Sequence, residues 1–154
     1  AVLVLCLAIS GALLNTFARP VHHALTVVHM TGAVLLGAVI AVRIACRLLA
    51  GRRLPGGPSV ALHRLASAMA VLLYVLIVAA AFSGFAWRWG RGRPMTFFSF
   101  SLPSPLAIFP KAVTHTLGAF HWWVALVIIG AVMGHVAMAI WHIRRRDGVF
   151  SRMV

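Results

Sequence analysis

The sequence predicts an all-α fold, a transmembrane four-helix bundle, and three observations predict it. Hydrophobic residues make up 62% of the 154 residues, and the mean hydropathy is +1.01, well above that of a soluble domain of this size. The apolar residues fall into four runs that recur along the whole chain, which a cleaved signal peptide does not do. Fourteen Lys and Arg stand against one acid, Asp147, and the basic residues gather at the ends of the apolar runs. Residues 1–154 therefore read as one transmembrane domain without a soluble one.

The first helix is expected over about residues 1–17. It is slightly shorter than the roughly 20 residues that span a bilayer and has no leading flank, so its start is expected upstream of residue 1. The second is expected over about 24–49. The third, over about 60–87, follows the helix-breaking stretch GRRLPGGPS at 51–59. The fourth is expected over about 112–143. No internal repeat is evident. Cys6 and Cys46 lie inside apolar runs, make no C-x-x-C motif, and read as small buried packing residues.

Orientation follows from charge. Arg43, Arg47, Arg52, Arg53, Arg64, Arg144, Arg145, Arg146 and Arg152 lie at one set of helix ends. Arg19, Arg88, Arg91, Arg93 and Lys111 lie at the other. The side with nine is expected to be cytoplasmic, which places both termini there, in a bacterial inner (cytoplasmic) membrane. The loop from Arg88 to Lys111 then faces outward. Its stretch MTFFSFSLPSPLAIF is expected along the interface, with its aromatics at headgroup level. Lipid headgroups account for the basic residues more simply than nucleic acid does. The absence of carboxylates from the apolar runs argues against a cation-coupled transporter, a channel or a carboxylate-dependent hydrolase.

The chemistry lies in the histidines. HWWVALVIIGAVMGH places His121 and His135 fourteen residues apart. On a helix that separation is about 40° short of four turns and a rise of about 21 Å. Both imidazoles thus face nearly the same way at two depths. His29 lies about two turns into the second helix and His121 two to three turns into the fourth. Both helices begin at the outer side, so the two imidazoles can meet in the outer leaflet. Imidazole is a good axial ligand for haem iron, and a bundle interior suits a cofactor held between facing helices. His29 and His121 are accordingly expected to bind haem b, with iron as the metal. His135 lies about two turns from the inner end and has no histidine partner at its depth, so it forms half of a second site.

The other candidates are read two ways. His142, seven residues after His135, can touch a haem propionate or a quinone, or serve as an interfacial polar residue. Arg43 can pair with a haem propionate or snorkel to headgroups. His22, His23, His63 and His115 read as interfacial. Gly130 and Gly134, with Gly32 and Gly37, allow close approach of helices or of a flat macrocycle.

Several stretches carry a family likeness: VVHMTGAVLLGAVIAVRIACRL (27–48), VLLYVLIVAAAFSGF (71–85), HWWVALVIIGAVMGH (121–135), and the closing HVAMAIWH with RRDGVFSRMV (135–154). On these the chain resembles the prokaryotic cytochrome b561 family of four-helix di-haem membrane proteins. The resemblance implies two b haems, with His29 and His121 matching the outer pair and His135 the fourth-helix ligand of the inner haem. The family's remaining ligand, near the cytoplasmic start of the first helix, falls just before residue 1. The sequence departs at Ser67 and Ala70, where the family often carries histidine near the third-helix tyrosine, here Tyr74. Family members pass electrons between haem and quinone, and some oxidise superoxide at the outer face. The leading expectation is therefore a haem b electron-transfer protein exchanging electrons with quinone. The alternative is a non-catalytic anchor and relay subunit of a larger membrane redox complex, and a third reading is a structural subunit without haem. The expected partners are the lipid bilayer, quinone, and a redox protein or a second copy in a homodimer. Nucleic acid is not expected.

Overall fold

This computed structural model describes residues 2–14, 16–49 and 60–145, apart from the side chains of 60–63, 65, 66, 142 and 145. Four helices follow in order, α1 (Val2–Leu13), α2 (Arg19–Leu49), α3 (Val60–Gly90) and α4 (Lys111–Arg145), with strands β1 (Met95–Phe97) and β2 (Phe100–Leu102) between α3 and α4. Three helices have spans long and apolar enough to cross a membrane, Arg19–Leu49, Ser67–Gly90 and Lys111–Trp141, while Val2–Leu13 is apolar but shorter. The fold is a transmembrane helical bundle.

Helix ends differ from the apolar runs for local reasons. α1 stops at Leu13 rather than near residue 17, because the chain turns there: the Leu14 N–H donates to the Gly11 carbonyl at 3.4 Å and the Thr16 N–H to the Leu13 carbonyl at 3.1 Å. α2 begins at Arg19, ahead of its apolar run. Pro20 is tolerated there because N–H groups in a first turn have no helical partner. A His22–Leu14 carbonyl hydrogen bond ties this start to the end of α1.

α1 packs along α2 and α3 along α4, forming two hairpins that meet through slighter α2–α3 and α1–α4 contacts. Small residues mark the close approaches. A Cβ at Gly32 would meet the Leu7 side chain at 3.2 Å, and one at Gly118 would meet the Trp87 indole at 3.0 Å. Gly37, Gly130 and Gly134 would meet nothing within 4 Å. The reading of Gly130 and Gly134 as a helix-packing pair is therefore not what is found among the described residues. Cys6 and Cys46 are also exposed rather than buried. Near the end of α2 the Arg47 guanidinium lies 5.7 Å from the Tyr74 ring centre. Most of each long helix faces outward with apolar side chains such as Val28, Val42, Val75, Phe82 and Val127, as a bilayer solvent requires.

The loop between α3 and α4 folds into a β-hairpin. β1 and β2 pair antiparallel, with Phe97 opposite Phe100 and Met95 opposite Leu102. The two-residue turn places Phe98 at φ 49°, a region that favours glycine. The Phe98 N–H donates to Thr31 Oγ1 on α2 at 3.2 Å. Met95 inserts against α2 and α3 and is 2% exposed. The Phe109 N–H to Gly90 carbonyl bond, 2.8 Å, closes the base of the loop.

Candidate cofactor site

His29 lies ten residues past the start of α2 and His121 ten residues past the start of α4, so each is about 15 Å along its helix. Their rings face each other across the space between the hairpins, with centroids 6.2 Å apart and planes at 78°. Each ring is tied to its own hairpin. His29 Nδ1 lies 3.0 Å from the Leu7 carbonyl oxygen on α1, and His121 Nδ1 lies 2.8 Å from the Ala80 carbonyl oxygen on α3. A carbonyl can only accept, so Nδ1 carries the proton on both rings and Nε2 keeps its lone pair. Glycine makes these approaches possible. A Cβ at Gly11 would meet His29 Cε1 at 3.0 Å, and one at Gly84 would meet His121 Cε1 at 3.0 Å.

Between the rings lies a cleft with about 590 Å³ of atom-free space, partly open to its surroundings. Apart from the two imidazoles its walls are apolar: Val4, Leu7 and Ala8 from α1, Ala33 and Leu36 from α2, Ile77, Ala80 and Ala81 from α3, and Ala125, Ile128 and Ile129 from α4. Five of these eleven are alanines, which leaves room for a broad flat ligand.

The lining repeats. Val4, Leu7 and Ala8 correspond to Ile77, Ala80 and Ala81 at a constant shift of 73 residues, and the same shift carries Ser10–Gly11 onto Ser83–Gly84. His29, Ala33 and Leu36 correspond to His121, Ala125 and Ile128 at a constant shift of 92. Each hairpin thus supplies one imidazole, one carbonyl tie and one glycine. No internal repeat was expected, and this one was missed. Its literal traces are V-L at 2–3 and 75–76, A-x-S-G at 8–11 and 81–84, V-x-H-x-L at 21–25 and 113–117, and H-x-x-x-A at 29–33 and 121–125.

The donor set suits a haem. Two imidazoles on opposite sides of one metal, at about 2.0–2.1 Å per nitrogen, place their ring centres about 6.4 Å apart, close to the observed 6.2 Å. No group of three or more His, Cys, Asp or Glu side chains is gathered among the described residues. A porphyrin brings four nitrogens of its own, so two protein ligands suffice. The family model described as prokaryotic cytochrome b561 matches residues 1–154, the whole chain. The chain belongs to that family. No curated protein sequence matches it. As a family member it binds haem b, lies in contact with the lipid bilayer and transfers electrons in the membrane.

In this cytochrome neither His135 nor Arg43 is among the residues lining the cleft. His135 is exposed, as is Arg43. His142 falls on the last turns of α4, and its side chain lies outside the described residues, as does that of His63. At the end of α3, Arg88 Nε donates to the Pro94 carbonyl at 2.7 Å, and the Arg91 guanidinium lies 5.3 Å from the Trp87 ring centre. Arg91, Arg93 and Lys111 are exposed.

Proposed function

We propose that this family member is an electron carrier of the bacterial inner membrane, with both termini cytoplasmic, that exchanges electrons with quinone through a haem b held by His29 and His121. The observation that carries the reading is the opposed pair of imidazoles, 6.2 Å apart, each with Nδ1 tied to a backbone carbonyl. Bound haem supplies a one-electron couple. The chain does the rest. His29 and His121 would hold the iron through Nε2, the nitrogen left unprotonated by their Nδ1 bonds. Leu7 and Ala80 hold the rings in that tautomer. The apolar walls exclude water and lower the local dielectric, which tunes the potential.

The fourth-helix histidine, His135, supplies one ligand of an inner haem, with Arg43 and His142 toward its propionates or a quinone. The exposed Arg91, Arg93 and Lys111 concentrate anions at the outer face, which suits superoxide as an electron donor there.

The test is haem content of the purified chain by pyridine haemochrome, an electron paramagnetic resonance spectrum of the ferric form, and quinone reduction. Imidazole planes at 78° leave two iron d orbitals nearly degenerate, so a strongly anisotropic low-spin signal is expected. Two haems with quinone turnover support the full reading, and one haem limits it to the His29–His121 site. Co-purification with a larger redox partner, with no turnover alone, makes the chain an anchor and relay subunit. A haem-free chain refutes the ligand assignment.

A further inference from the structure

Two serines are buried beside the paired imidazoles, Ser10 at 4% exposure and Ser83 at 5%. Within an apolar helix a serine usually satisfies itself by bonding back to a carbonyl three or four residues earlier. Both do so. The Ser10 hydroxyl donates to the Cys6 carbonyl at 2.7 Å, with the Leu7 carbonyl at 3.2 Å, and the Ser83 hydroxyl donates to the Ala80 carbonyl at 3.1 Å. A hydroxyl has one hydrogen and two lone pairs. With the hydrogen committed to the backbone, the oxygen remains free to accept. It faces an imidazole in both hairpins: Ser10 Oγ lies 3.2 Å from His29 Nδ1, and Ser83 Oγ lies 3.4 Å from His121 Nδ1.

We propose that Ser10 and Ser83 are positioning residues that share the Nδ1 protons of His29 and His121 with the backbone carbonyls, and so set the potential of the iron between the two rings. The proposal rests on the ligand assignment above. Each Nδ1–H is divided between two acceptors, a carbonyl oxygen and a hydroxyl oxygen. A proton drawn further from Nδ1 leaves more electron density on Nε2, and a more basic ligand favours ferric iron over ferrous. The serines therefore hold the potential down. The two are unequal. At His29 the hydroxyl is nearly as close as the Leu7 carbonyl, 3.2 Å against 3.0 Å. At His121 the carbonyl dominates, 2.8 Å against 3.4 Å. Ser10 carries the larger share. Helix stability alone accounts for the bonds back to Cys6, Leu7 and Ala80 but does not require either hydroxyl to face an imidazole from the equivalent position of each hairpin.

The experiment is a redox titration of the haem-loaded full chain, with haem content measured alongside, for the wild type, Ser10→Ala, Ser10→Thr and Ser83→Ala. The component followed is the haem that His121→Ala removes. Ser10→Ala is expected to raise its midpoint potential, Ser83→Ala to raise it less, and Ser10→Thr, which keeps the hydroxyl, to leave it at the wild-type value. Loss of that haem from Ser10→Ala with retention in Ser10→Thr also supports the hydroxyl's role. An unmoved or lowered potential in Ser10→Ala overturns the proposal. So does a change or a haem loss shared by Ser10→Ala and Ser10→Thr, because packing rather than the hydroxyl is then responsible. A wild-type chain without haem overturns the ligand assignment and the serine roles together, whereas a haem-loaded wild type with indifferent serines overturns only the latter.

Discussion

On the first hairpin His29 reaches back to the Leu7 carbonyl and its ring lies over Gly11; on the second His121 reaches back to the Ala80 carbonyl and its ring lies over Gly84. Away from that level the hairpins part. Fourteen residues further along, α4 carries His135, whereas α2 carries Arg43 at the equivalent place. At the opposite end α1 turns directly into α2, while α3 and α4 are joined through the β-hairpin that leans on Thr31. What is repeated is what two-sided ligation demands of each side: a ligand, an acceptor that orients it, and room for its ring. What is not repeated makes the two ends of the bundle different.

The strongest way to break the comparison is to remove the ligands one at a time. His29→Ala and His121→Ala are expected to abolish the same haem and leave identical haem counts, because one metal between two rings loses its low-spin site when either ring is deleted. Haem content that differs between the two variants, or full retention in either, would separate the hairpins functionally.

A smaller effect sharpens the equivalence. Any side chain at Gly11 or Gly84 meets a histidine ring, at 3.0 Å for the Cβ alone. Gly11→Val and Gly84→Val are each expected to cost about 1–3 kcal/mol as overpacking and to weaken haem retention alike. Gly37→Val, with nothing within 4 Å of its Cβ, is the control expected to retain haem normally. Thermal unfolding in detergent, followed by haem absorbance, measures all three.

The smallest effect concerns the unrepeated loop between α3 and α4. Thr31→Val removes the acceptor of the Phe98 N–H and is expected to destabilise the β-hairpin by about 1 kcal/mol, seen as faster hydrogen exchange at the Phe98 amide. Haem content should be unchanged. A haem loss in Thr31→Val would mean that the loop supports the cleft as well as covering α2.

The meeting of His29 with His121 was legible in the sequence, since both helices start at the same face and depth follows from counting turns. The carbonyl ties were not. Leu7 and Ala80 contribute through their backbone, which every residue has, so their identities carry no signal. The repeat was hidden for a different reason. Val4 against Ile77 and Leu36 against Ile128 preserve size class rather than identity. The two halves of each hairpin also shift by different amounts, 73 and 92 residues, because the α3–α4 connection is longer, so no single period aligns them. The β-hairpin was illegible because its turn uses Phe98 where a glycine or asparagine would signal it. The exposure of Gly130 and Gly134 shows the limit of motif reading: two glycines four apart permit close packing without requiring it.

The orientation of each imidazole from within its own hairpin bears on how the protein is made. Once α1 and α2 are packed together, the Leu7 carbonyl alone is enough to hold His29 in its tautomer. α3 and α4 do the same for His121 without reference to the first pair. Neither half waits for the other to shape its ligand. Direct contact between the halves is sparse, so a haem held by His29 and His121 would be a main fastening across the seam.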